Sequence, residues 1–268
     1  METIDLTYLS WSKIRASSGT GGSFLKAQEE TTEGRIYYKL SSYDSYLGTF
    51  GHESVNEIVA DRLLAILGVP HLSYRLLHGE ILLDGKRLQI WLCSSKDFRK
   101  RGEKKMALDD YYLANRRGQE SPLDFCIRKG WSTYIYQMLI IDFLILNRDR
   151  HGANLEVLMN PQAKTVRLAP LFDHGVSLFC RCQSFAELEK EDVMADKVVQ
   201  CFVGSRSARE NLNLIPKDKH PSLKPLQELH REVLLEGLDE ALGEPFLERI
   251  WEMIWRRWQA YEAFRDKG

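Results

Sequence analysis

Residues 147–154 read NRDRHGAN, which sets a carboxylate, an imidazole, two amides and two guanidinium groups within eight positions. A helix end needs far less, since a single Gly or Asn closes the last turn. Asp149 and Asn154 stand in D-x-x-x-x-N spacing. In phosphoryl transfer, that spacing lets an aspartate orient an attacking hydroxyl and accept its proton, while the asparagine amide oxygen binds a metal ion. Downstream, LFDHG places Asp173 two residues ahead of Gly175, the D-x-G shape of a metal-binding turn. Each motif alone is weak. Asp149, Asn154 and Asp173 in that order around a short hairpin are much more specific. His151 stands where it could approach a transferred phosphate or simply hydrogen-bond within the loop. Arg148 and Arg150 would anchor the loop or pair with acidic neighbours.

The other parts that phosphoryl transfer from ATP requires lie upstream, in a sensible order. Ser17-Ser18-Gly19-Thr20-Gly21-Gly22-Ser23 is a run of small residues between strand-like segments. Such a run lets backbone N–H groups close over phosphates, although most such clusters are plain turns. Lys39, in IYYKL, would sit on a strand beside a cleft, within reach of phosphate oxygens. Glu57, on the next helical segment, is the expected partner of that lysine, as in the strand-lysine and helix-glutamate pair of kinases. Glu53, one turn earlier, competes. Glu57 is preferred because it lies nearer the apolar face that must pack on the sheet.

These residues need a scaffold. SFLKAQ and GRIYYKL alternate as strands do, separated by the polar EETTE. ESVNEIVADRLLAILG repeats its apolar residues at helical spacing, with Gly68 as C-cap and Pro70 just beyond. LSYRLLHGEILLDGKRLQIWLC reads as two strands joined at Asp84-Gly85. A basic stretch, SSKDFRKRGEKKM, has the character of a solvated connector. After it the chain turns helical: PLDFCIRKG, then WSTYIYQMLIIDFLIL, then a hairpin across LEVLMNPQAKTVRLAPLF, and finally two amphipathic helices between Leu223 and Phe264, broken near Gly243. The aromatic stripe of the last helix, including Trp258 and Tyr261, is expected to be core. The organisation is an α+β, two-lobed one: a strand-rich N-lobe at 1–95 and a helical C-lobe at 96–268. A cleft between unlike lobes is a common ligand site.

The 268 residues carry a formal net charge of −1 and are 44% hydrophobic. That composition fits a globular protein and gives no global electrostatic case for nucleic-acid binding. The apolar run from Tyr134 to Leu146 is too short to span a bilayer and is interrupted by Asp142. No leader-like start is visible, and five cysteines without framework spacing suggest reduced thiols, so a cytoplasmic location is expected. Cys180-Arg-Cys182 lacks the further ligands that zinc normally wants.

N-R-D-R-H-G-A-N followed by A-P-L-F-D-H-G-V-S resembles the HipA-like Ser/Thr kinases, bacterial proteins of divergent protein-kinase fold whose members carry N-x-D-R-H-x-x-N and then P-L-[YF]-D. VNEIVADRLLAILGVP resembles their helix with an N-E pair ending in L-G-[IV], and Asp142 fits as well. The resemblance spans residues 15 to 215. It implies an ATP- and Mg2+-dependent protein kinase with Lys39, Asp149, Asn154 and Asp173 in the matching positions. It also implies autophosphorylation of Ser17, Ser18 or Ser23 in a nucleotide-binding loop made by Ser18, Gly19, Thr20, Gly21, Gly22 and Ser23, which in some members switches the enzyme off. The hinge would fall between Cys93 and Phe98, with Cys93 and Ser95 at the nucleotide. The implied partners are a protein bearing the accepting Ser or Thr and an antitoxin or other regulator. HipA toxins are longer and carry an extra N-terminal subdomain, so this chain resembles the compact, stand-alone type, and antitoxin pairing stays open. A small-molecule or lipid kinase is the alternative. Aminoglycoside-type kinases usually show an H-x-D lead-in, whereas Asn147 stands in that place here. A pseudokinase is disfavoured because no catalytic position is missing.

Overall fold

A computed structural model of the chain describes residues 2–12, 24–32, 34–44 and 48–267. The glycine-rich run at 17–23, with its Ser18, Gly19, Thr20, Gly21, Gly22 and Ser23, lies outside the described residues. Among those described, five strands form the larger sheet: β1 (Thr3–Asp5), β2 (Lys26–Thr31), β3 (Gly34–Leu40), and, after the short pair β4 (Tyr43–Asp44) and β5 (Gly48–Thr49), β6 (Tyr74–Leu83) and β7 (Lys86–Lys96). Their order is β1-β6-β7-β3-β2, with β1 parallel to β6 and the other pairs antiparallel. The β2 strand begins at Lys26 and runs through Glu29-Glu30-Thr31. The polar EET residues thus extend the strand rather than separating two, because β2 is an edge strand whose side chains can reach water. The β6–β7 turn is made by Asp84 and Gly85, both at positive φ (51° and 75°), as a two-residue Asp-Gly hairpin requires.

Alternation gives the sheet two different faces. Tyr38, Leu40, Ile81 and Leu92 point into a small core closed by Leu6 and Leu9. The opposite face receives α1 (Glu53–Leu67), whose Val55, Ile58, Val59, Leu63 and Leu64 are buried in the main core. Gly68 ends α1 at φ 74°, and Val69 N donates to Leu64 O at 2.8 Å, a Schellman closure.

The basic connector is not all coil. Residues Lys104–Ala107 form β8, which pairs with β10 (Glu156–Asn160), itself paired with β11 (Thr165–Leu168) in a smaller sheet. Then come α2 (Leu108–Asn115), α3 (Pro122–Arg128) and α4 (Ser132–Leu144). The α3 start is capped by the Ser121 side chain, which accepts from Asp124 N. Apolar on nearly every side, α4 is buried from Ile135 onward except at Gln137. After α4, β9 (Asp149–Arg150) pairs in parallel with β12 (Gln200–Cys201). Short helices α5 (Phe185–Leu188), α6 (Ala208–Asn211) and α7 (His230–Leu235) precede α8 (Glu244–Asp266), which buries Ile250, Ile254, Trp258 and Tyr261. The first of the two expected terminal helices is thus reduced to one short helix. In the second, Trp251 and Trp255 stack at 5.5 Å. The cysteines carry free thiols. No helix of the described residues is long and apolar enough to cross a membrane.

Candidate active site

Strand register brings the first group of residues together. Lys39 on β3 lies opposite Lys26 on β2 and opposite Cys93 on β7, while Tyr37 and Tyr74 both lie opposite Ser95. Because side chains alternate, Lys39 faces away from Tyr38 and Leu40, towards α1. There its ammonium donates to Glu57 Oε1 at 2.9 Å and to Asp173 Oδ1 at 2.5 Å, and it lies 4.8 Å from the Phe24 ring centre. Glu53 is engaged elsewhere: it accepts from Ser42 N at 3.0 Å and from Ser42 Oγ. Burial alone would lower the Lys39 pKa, but the Asp173 and Glu57 carboxylates override it and hold the group well above its ordinary value. For Asp173, burial would raise the pKa, and the Lys39 and Lys26 charges instead hold it well below the usual carboxylate range.

The start of α1 also fixes the Asp173 turn. Glu57, fully buried, accepts from His174 N at 2.9 Å with its second oxygen. Asn56 donates to Gly175 O and Ser177 O, both at 3.0 Å. Asp173 itself has φ 59°, an uncommon conformation for a non-glycine residue. A Cβ at Gly175 would lie 3.1 Å from Glu53 O and 3.0 Å from Glu53 Cβ. The glycine of D-x-G thus lets the turn approach the helix more closely than a side chain would allow without a shift of α1.

The catalytic-type loop grows from the end of α4. Leu146 takes φ 49°, and Asn147 N donates to Asp142 O at 2.9 Å, a Schellman closure without glycine. The buried Asp142 carboxylate accepts from Asn147 Nδ2 at 2.9 Å and from Arg150 Nε at 3.0 Å. Arg150, 1% exposed, also donates to Phe172 O at 2.8 Å. One buried guanidinium thus ties the α4 helix and the Asp149 loop to the residue before Asp173. This is a burial that only a well-bonded ion pair tolerates. Asn147 Oδ1 accepts from Asp149 N at 3.2 Å. Asn154 Nδ2 donates to Asp149 O at 2.7 Å and Asp149 Oδ2 at 3.2 Å, which leaves the Asn154 amide oxygen as its ligand-type atom. His151 Nε2 lies 3.4 Å from Asp149 Oδ1.

Lys39, Asp149, His151, Asn154 and Asp173 open on one cleft of about 970 Å3, lined also by Lys26, Cys93 and Ser95 among others. Glu57 lies behind it, under Lys39. Cys93 is buried, and that burial pushes its thiol up to about 12, so it offers a wall rather than a nucleophile. Beyond Ser95, Phe98 and Phe172 pack against each other with ring centres 5.7 Å apart, and both line the cleft, forming one aromatic patch of its wall. No cluster of three or more His, Cys, Asp or Glu among the described residues could hold a metal.

Three groups escaped the sequence reading. Lys26 forms no ion pair among the described residues, and burial lowers its pKa, with Asp173 opposing that shift and Lys39 adding to it. Centring the β2–β3 hairpin on Thr31 and Gly34, which pair, would have placed Lys26 opposite Lys39. Lys105 lines the cleft and bonds Glu156 Oε1 at 2.9 Å, on a segment expected to be connector. Asn56 was legible only as half of the N-E pair, and its clamp on the Asp173 turn had no further signal.

The chain has a kinase-like α+β fold. It is similar over 96% of its length, and 94% of the other chain, to the crystal structure of the Helicobacter pylori proinflammatory kinase CtkA, at 16% identity and a TM-score of 0.59. Looser matches are a Shewanella oneidensis MR-1 toxin–antitoxin complex of HipA, HipB and operator DNA (14% identity, 95% of this chain, 59% of that one, TM-score 0.40) and a Neurospora crassa PAN3 pseudokinase mutant (10%, 95%, 59%, 0.33). Neither of these superposes closely enough to bear on function. No protein-family description and no curated protein sequence matches the chain.

Proposed function

We propose that the protein is an ATP- and Mg2+-dependent Ser/Thr protein kinase of HipA-like type. The observation that carries this reading is the convergence on one cleft of Lys39, held by Glu57 and Asp173, with Asp149 and Asn154. Lys26 opposite Lys39 supports an anionic ligand, since the two ammoniums line the same cleft and share the Asp173 carboxylate as a nearby counter-charge. Phe98 and Phe172 suit the base of a nucleotide.

In this reading Lys39 and Lys26 hold phosphate oxygens. Asp173 and the Asn154 amide oxygen would hold magnesium, which keeps most of its remaining ligands as water and phosphate and offsets charge on the phosphates when bound. Asp149 orients the acceptor hydroxyl and takes its proton as the new O–P bond forms and the bond to the leaving ADP breaks. Asn154 Nδ2 fixes the Asp149 carboxylate for that role. Autophosphorylation of Ser17, Ser18 or Ser23 belongs to the same proposal and would add negative charge where the nucleotide phosphates lie.

The test is incubation of the dephosphorylated full chain with labelled ATP and magnesium, followed by mass spectrometry. Phosphate on Ser17, Ser18 or Ser23, absent in Asp149→Asn, is expected. Failure of the wild type to bind nucleotide would overturn the reading. ATP consumption only with an added small metabolite would replace the protein acceptor with a small one.

A further inference from the structure

Three arginines line the cleft on the Asp149 side, on segments away from the large sheet. Arg148 directly precedes Asp149, and its backbone N donates to Val176 O at 2.9 Å. Arg148 O accepts from Gln200 N at 3.1 Å, and Arg148 Nε donates to Val198 O at 3.3 Å. Arg206 joins the same ladder, since its O accepts from Val199 N at 2.9 Å. Arg181 follows the Asp173 turn, between Cys180 and Cys182, whose backbone N–H groups return to Ser177 and Phe179. Arg148, Arg181 and Arg206 all face the cleft that Asp149 lines.

None of the three forms an ion pair among the described residues. The carboxylates nearby are committed: Glu191 to Lys197, Glu187 to Gln183 N, and Asp196 to Ser207 Oγ. Elsewhere in the chain, arginines beside acids pair, as Arg99 does with Asp97 and Arg167 with Glu103. Guanidinium groups match carboxylates and phosphates by paired N–H donors. With a net charge of −1, these cations are a local feature of the cleft and not part of a basic surface. The opposite, nucleotide-facing wall has its own cations in Lys26 and Lys39.

We propose that Arg148, Arg181 and Arg206 form an acceptor-side subsite that selects protein substrates carrying an anionic side chain, Asp, Glu or a phosphorylated residue, close in sequence to the accepting Ser or Thr. The inference rests on the kinase reading and adds the class of substrate. An extended segment lying along Val198–Gln200 would bring its hydroxyl to Asp149 and its flanking carboxylate to the guanidinium groups.

The test uses the full chain, labelled ATP, magnesium and a panel of serine peptides flanked by Glu, phosphoserine, Ala or Lys. The wild type is expected to favour the acidic peptides. The double variant Arg181→Ala/Arg206→Ala is expected to raise KM for them about tenfold, as loss of charge-assisted bonds does, with kcat for the Ala-flanked peptide little changed. Arg181→Glu/Arg206→Glu should turn the preference towards Lys-flanked peptides. The Glu and phosphoserine arms distinguish a carboxylate from a phosphate ligand. Transfer to Ala- or Lys-flanked peptides as good as to acidic ones would overturn the subsite and leave the kinase reading standing. Transfer to no hydroxyl at all, with no nucleotide bound, would overturn both.

Discussion

Asp142 on α4 and Arg150 in the catalytic-type loop form a buried ion pair, with Arg150 Nε 3.0 Å from Asp142 Oδ2 and side-chain exposures of 9% and 1%. Removing one partner strands the other in the core, which costs about 3–5 kcal/mol. Arg150→Ala or Asp142→Ala should therefore lower unfolding free energy by that order in urea titration. Arg150→Lys, which cannot span Asp142 and Phe172 O with a planar fork, should recover only part of it. A loss no larger than that of an exposed pair would mean the tie is not a structural one.

Lys39→Met and Asp149→Asn should separate binding from chemistry. Lys39→Met is expected to weaken ATP binding and abolish measurable transfer. Asp149→Asn should keep nucleotide affinity and lower kcat by about 10²–10⁴, the range for loss of a positioned general base. Calorimetry with a non-hydrolysable ATP analogue, beside a labelled-phosphate assay, reads both quantities.

Lys26→Met tests the second lysine. ATP affinity should drop about tenfold, equivalent to ~1.4 kcal/mol, while adenosine affinity stays the same, because Lys26 lies opposite Lys39 and carries a charge that only the phosphates would meet. An equal drop for both ligands would place Lys26 in the fold and not at the phosphates.

Stability should fall on mild acidification through His52. Burial lowers its pKa from 6.5 to about 4, and its ring packs edge-on against Phe246 at 5.5 Å. Between those values the unfolded chain binds more protons, so stability rises with pH there. The contribution is full above pH 6.5 and is lost as pH falls to about 4, a change of about 3 kcal/mol at 1.36 kcal/mol per pH step. His174, lowered in the same direction mainly by burial, adds to the slope. His52→Leu should flatten the stability–pH curve in that window without abolishing it, as measured by denaturant midpoints from pH 4 to pH 7.

Much of the site was legible because its chemistry is local in sequence. Asp149 and Asn154 sit in one loop, and Asp173 follows one hairpin later. Alternation placed Lys39 on the face opposite Tyr38 and Leu40, and helical phase favoured Glu57 over Glu53. What stayed hidden depends on non-local pairing. Lys26 becomes a cleft residue only through the β2–β3 register. The stretch Lys104–Ala107 becomes a strand only because β10 offers it an edge, overriding a charge-rich composition. The role of Arg150 could not be assigned because its partners, Asp142 and Phe172 O, lie on opposite sides of it in sequence and meet only in the core. The α7 segment failed as a long helix because its apolar residues, Leu234 and Leu235, secure only its final turn.

The fastening of the Asp173 turn bears on how ligands for the cleft should be sought. A compound that must displace the backbone of the Asp173 turn to enter has to break the Arg150 bond to Phe172 O, both Asn56 bonds and the Glu57 bond to His174. Each is buried or part-buried, and each broken bond strands a polar group. Compounds shaped to the cleft as it stands avoid that penalty. Chemical libraries biased towards flat, anionic scaffolds should therefore yield more hits against this protein than libraries built around a displaced turn.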